Sequence, residues 1–156
     1  MGDSNRKWWS RLLIGGAAAL FALQLVPYGR NHSAPPVTSE PAWDAPETRA
    51  LAKQACFDCH SNETEWPVYA SIAPVSWLVQ HDVDEGRAAL NFSEWSRPQK
   101  EADDAAEEVR EGEMPPAAYT LVHAHARLNP ADRDRLALGL ARTLGVDLKA
   151  EARRHR

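Results

Sequence analysis

Apolar positions along the chain fall into stretches of different period, and each period predicts a different element. From Leu12 to Tyr28 they run together as LLIGGAAALFALQLVPY, interrupted in its polarity only by Gln24. At about 1.5 Å rise per residue such a run just reaches across a hydrocarbon layer of about 30 Å, so residues 1–29 are expected to form a transmembrane anchor. Trp8 and Trp9 precede the run and Tyr28 closes it, where amphipathic rings favour the headgroup layers. Residues 30–43 are rich in proline and lack an apolar period, which predicts an extended linker. From 44 to 146 a helical period takes over. Asp44 with Glu47 has the spacing of a capping box, and ETRALAKQACFDC puts Leu51 and Ala55 on one face, so one helix should carry Cys56 and Cys59 on its last turn. An aromatic and proline-rich loop follows from Trp66, then a short helix from about Val75 to His81. Asp82–Leu90 reads as another short helix or a loop, and Asn91–Ser93 as a break. Pro98–Glu111 is highly charged, which suits a solvent-facing helix or partly helical linker ended by Gly112. Asn129 as N-cap, Pro130 at the first helical position, Leu136, Leu140 and Leu144 at every fourth residue, and Gly145 as stop define the last helix. Residues 147–156 make a basic tail. No stretch alternates like a strand, so the fold class is all-α: one small helical domain preceded by one transmembrane helix.

Composition narrows the class. The chain has 156 residues, 44% of them apolar and 26% charged, enough for one globular domain with a modest core. Net charge is −4; both ends are basic, with Arg6, Lys7 and Arg11 at one and Lys149 to Arg156 at the other, while the stretch between them carries 20 acidic against 11 basic residues, an acidic middle that repels polyanions. Nucleic acid is therefore excluded as a partner. Arg6, Lys7 and Arg11 precede the apolar run while only Arg30 follows closely, which places the N-terminus in the cytoplasm and the domain in the periplasm. A cleaved signal peptide is the rival, but the only small-residue triplet, Ala17–Ala19, lies inside the run rather than after it. A buried core helix is the other rival, and it leaves the tryptophans and the flanking charges unexplained.

Only two cysteines occur, Cys56 and Cys59, followed at once by His60. Two thiols three positions apart close too short a loop for a stabilising disulfide. On one helical turn they point the same way, so each can add to one vinyl group of a haem while the next imidazole reaches the iron; C-x-x-C-H is the spacing of covalent haem attachment. Thiol exchange would want the pair at the start of a helix after a strand. Structural zinc would need four ligands, for which His123 and His125 would have to be conscripted. The expected cofactor is one haem c, held by Cys56, Cys59 and His60. For the far side of the iron the candidates are Met114, His81, His123 and His125. Met114 stands in Gly112-Glu113-Met114-Pro115-Pro116, where the prolines would hold a loop rigidly, and is preferred, with His81 as the alternative. A lone methionine is ordinarily core filler. Phe57, Trp66, Tyr69, Trp77, Trp95 and Tyr119 either line a haem crevice or simply pack. A six-coordinate iron leaves substrate nowhere to bind, so the expected role is electron carriage between membrane-bound or periplasmic redox proteins, without enzymatic turnover. The alternative is a haem-based sensor or small-ligand module with a displaceable distal ligand.

The stretch from Ala55 to Pro67, ACFDCHSNETEWP, then IAPVSWL from Ile72, Gly86-Arg87, LNFSEW from Leu90, and Gly112–Pro116 with Tyr119, resembles the bacterial haem-binding domain family of small membrane-anchored proteins with one C-x-x-C-H. The resemblance runs from about Pro41 to Leu144. It implies a cytochrome-c-like helical domain with Cys56 and Cys59 as thioether sites and His60 as proximal ligand. Similarity to class I cytochromes c further implies that a backbone carbonyl near Pro74 receives the His60 ring N–H.

Overall fold

The structure, a computed structural model, describes residues 3–148. Among these it has seven α-helices: α1 (Asp3–Leu23), α2 (Pro46–Ala55), α3 (Phe57–His60), α4 (Val75–Ala89), α5 (Ala105–Glu111), α6 (Ala117–Val122) and α7 (Pro130–Leu144). Two 3₁₀ turns, Val68–Ser71 and Ala124–Ala126, complete the list, and a single bridge joins Ser39 to Glu94 without forming a strand. The protein is all-α. Residues 149–156, most of the expected basic tail, lie outside the described residues. The described residues form two compact units, 3–32 with 66–82, and 33–65 with 83–148.

The first unit holds α1. The helix expected to cross a membrane over Leu12–Tyr28 is not found: α1 begins among charged residues and stops at Leu23, and among the described residues no helix is long and apolar enough to cross a membrane. Its uninterrupted apolar part, Leu12–Leu23, is about 18 Å long, well short of a hydrocarbon layer of about 30 Å. Pro27, which has no N–H to donate and disfavours helical geometry in the residue before it, stands just past the stop, and Gln24 follows the last helical residue. The Gln24 side chain donates to Ala73 O at 2.9 Å and accepts from Ala73 N at 3.0 Å, so it satisfies that backbone pair. His32 stacks on Trp66 with ring centroids 4.7 Å apart, and its Nε2 lies 3.0 Å from Ala70 O.

In the second unit α7 packs on α5 and on α2. As the sequence predicts, Asn129 caps α7, its Oδ1 accepting from Asp132 N at 2.9 Å, Pro130 opens the helix, and Gly145 ends it with a left-handed φ of 72°. Leu136 and Leu140 are buried, together with Ala106 and Val109 of α5. The charged stretch thus contributes to the core: only Ala105–Glu111 is helical, and its small apolar residues face inward. Aromatic rings fill the other side, with Phe92 5.1 Å from Trp43, 5.6 Å from Phe57 and 6.2 Å from Trp95 between centroids. Two expected elements differ. Asp44 does not cap α2, since Arg142 Nε donates to it at 2.7 Å and its own N–H donates to Thr143; Ala45 takes the cap position and Pro46 starts the helix. Val75 to Ala89 is one continuous helix of 15 residues rather than two short ones, because no helix breaker stands between them.

Candidate functional site

The single helix expected to carry both cysteines is broken. At Cys56 the backbone leaves helical geometry, with φ −122° and ψ −32°, so α2 ends at Ala55 and the four-residue α3 begins at Phe57. Phe57 causes the break, because its ring is 2% exposed and sits in the aromatic core, and the chain turns to bury it. Cys56 therefore lies at the junction and Cys59 one turn on, beside His60; neither forms a disulfide. Burial pushes the Cys56 thiol up to about 12, with Cys59 acting in the same direction. Such a thiol is a poor nucleophile for disulfide exchange. Among the described residues no three His, Cys, Asp or Glu side chains gather to hold a metal ion, so the zinc alternative has no site there.

His60 is oriented by the end of α4. Its Nδ1 lies 2.9 Å from Gly86 O and 3.1 Å from Leu90 O. Carbonyls only accept, so Nδ1 carries the proton and the lone pair belongs to Nε2. The Leu90 carbonyl stands one residue beyond the helix, among the carbonyls that a helix end leaves without a partner, and the imidazole satisfies it. Burial holds His60 below its ordinary range, against the pull of these carbonyls, so the ring is neutral and fit to bind a metal. The expected carbonyl near Pro74 is not the acceptor: α4 runs on past it, and the helix reaches His60 with its far end instead.

Gly86 makes that approach possible. A Cβ there would lie 2.6 Å from Cys59 O and 2.9 Å from Cys59 Cβ, so only glycine lets α4 touch α3. The next residue, Arg87, grips the chain after the motif, donating to Ser61 O at 2.8 Å, Thr64 Oγ1 at 3.0 Å and Ser33 O at 3.1 Å. A buried network holds the same chain from the other side. Asn91 Nδ2 donates to Asn62 Oδ1 at 2.9 Å, Asn62 N to Ser93 Oγ at 2.9 Å, and Phe92 N to His60 O at 2.8 Å. Sequence reasoning saw Gly86-Arg87 and Asn91–Ser93 as signature and break; their work as acceptor, spacer and clamp needs the fold.

The candidates for the distal position are Met114, His81, His123 and His125. Met114 is half-buried and packs against the core that contains Phe57. His81 is exposed on α4. His123 stacks on Tyr119 at 4.1 Å with its Nδ1 3.1 Å from Tyr119 O, and the exposed His125 lies edge-on to it at 5.7 Å. Of the aromatics proposed for a crevice, Phe57 and Trp95 pack in the core, while the Tyr119 hydroxyl donates to Asp58 Oδ2 inside the motif.

The donor set suits a covalently held haem: two thiols within one turn and a neutral imidazole whose proton is already engaged. The profile of the haem-binding domain family matches residues 18–142, most of the chain. The chain belongs to the haem-binding domain family. The match spans every residue of the site, from Asp58 and the C-x-x-C-H turn to Tyr119. No curated protein and no solved structure matches the chain.

Proposed function

We propose that this haem-binding domain protein is a single-haem c-type cytochrome that carries electrons, with Cys56 and Cys59 as thioether sites, His60 as proximal ligand and Met114 as distal ligand. The observation that carries the proposal is the His60 ring, whose proton is spent on Gly86 O and Leu90 O beside two thiols. When bound, the haem supplies a one-electron couple. The chain's own residues do the rest. The α4 carbonyls make His60 a stronger donor, Gly86 and Arg87 fix the turn on which it stands, and Met114 comes from a loop stiffened by Pro115 and Pro116. With His60 and Met114 both holding the iron, no position would remain for substrate, so we propose no enzymatic turnover. The domain works on the exported face of a bacterial cytoplasmic membrane, with α1 holding it there. Its acidic middle suits membrane-bound or periplasmic redox partners with basic docking patches.

Expression with haem-attachment machinery tests this directly. The purified chain should keep its haem stain on a denaturing gel and weigh one porphyrin more than its sequence, and Cys56→Ala with Cys59→Ala should lose both. A colourless chain of unmodified mass would sink the proposal. The rival reading is a haem-based small-ligand module whose distal ligand is displaceable. Carbon monoxide decides between them: rapid binding by the reduced protein supports the ligand module, and refusal supports the carrier.

A further inference from the structure

Asp58, between the two cysteines, is held on three sides. Its Oδ1 accepts from Glu65 N at 2.9 Å, its carbonyl accepts from Thr64 Oγ1 at 2.8 Å, and its Oδ2 accepts the Tyr119 hydroxyl. Tyr119 is fixed in turn by the His123 ring stacked on it and by His123 N, which donates to its carbonyl at 3.0 Å. Between Met114 and Tyr119 the chain reads Pro-Pro-Ala-Ala, and the two prolines leave it little backbone freedom. On the other side Met114 N donates to Glu108 O at 3.1 Å, the end of α5. The Met114 segment is thus pinned before and after, and the later pin is set in the C-x-x-C-H turn itself.

We propose that Asp58 and Tyr119 are positioning residues for the distal ligand, a deepening that rests on the assignment of Met114 above. Their hydrogen bond ties the loop of Met114 to the turn of Cys56, Cys59 and His60, so the residues that would hold the iron are kept as one body. A phenol donating to a carboxylate is charge-assisted and stronger than a neutral pair, and its partial burial protects it from competing water. A tyrosine that merely packed would not need its hydroxyl there.

The full chain loaded with haem tests this through Tyr119→Phe, which keeps the ring on His123 and removes only the hydroxyl, through Asp58→Ala, and through the two together. In each, haem should stay covalently attached, the far-red sulfur-to-iron band should weaken, and carbon monoxide should bind the reduced protein about tenfold faster, equivalent to about 1.4 kcal/mol. The double variant should be no faster than the faster single one. Single variants with the wild-type band and rate would overturn the inference and leave Met114 as ligand, as would effects that multiply in the double variant. Loss of haem attachment in Tyr119→Phe would place the hydroxyl in folding of the turn and also overturn it. A wild-type protein with covalent haem but no far-red band would overturn both the ligand assignment and the inference.

Discussion

An added Cβ at Gly86 would meet the carbonyl oxygen of Cys59, a backbone atom with no rotamer to yield. Alanine ordinarily favours a helix interior by about 1 kcal/mol over glycine. Here the overlap reverses the sign, and Gly86→Ala is expected to cost about 1–3 kcal/mol in denaturant unfolding of the haem-free chain, with less haem attached on expression. Unchanged stability would mean that α3 yields without loss. The same contact shows what single residues disclose in a sequence and what they hide. Cys56, Cys59 and His60 stand out in the sequence because their spacing is that of covalent haem attachment, and the structure sets Cys56 just before α3 and the other two within it. The partner of His60 was not, because a main-chain carbonyl has no letter of its own, and analogy pointed to the region of Pro74 while the acceptors are at 86 and 90. Asp58 and Tyr119 stood in the signature, but their pairing spans 61 positions and no local period announces it.

Among the elements, α7 was read correctly from cap to stop because each signal acts locally: Asn129, Pro130, the leucine period and Gly145. The α2–α3 junction was missed because the cause is tertiary, the burial of Phe57. In α5 the charge pattern concealed a core face made of small residues, Ala106 and Val109. That helix also carries a mismatch that titration should expose. Burial, then the neighbouring Glu113, Asp104, Glu111 and Glu101, raises the Glu108 carboxyl above its ordinary 4.5. The folded chain therefore binds this proton more tightly than the unfolded one, and the associated stability is present in full below pH 4.5 and lost as pH rises through the raised value. Glu108→Gln should add roughly 0.3–0.5 kcal/mol at neutral pH and nothing below pH 4, measured by urea unfolding across that range. A gain that persisted in acid would assign the effect to packing rather than charge.

For the whole molecule the open question is what meets α1. Leu13, Ile14 and Phe21 are each about 70% exposed there, while Trp8 and Trp9 stand beside Arg6, Lys7 and Arg11. If a lipid surface holds this helix, replacing Leu13, Ile14 and Phe21 with serine should move the protein from the membrane to the soluble fraction; retention would assign the attachment elsewhere. The apolar run is plain in the sequence, whereas the contact of Gln24 with Ala73, 49 residues on, has no local signal. The hold on His60 has its own consequence for how such a protein can change. Since both acceptors are peptide oxygens, no exchange of side chain at 86 or 90 removes those atoms, and in the proposed electron carrier the voltage they would help to set is sheltered from most point mutations. What remains adjustable is where α4 ends: in that proposed carrier, lengthening or shortening the helix by a residue would turn a different carbonyl toward the ring and retune the electron affinity while Cys56, Cys59 and His60 stay in place.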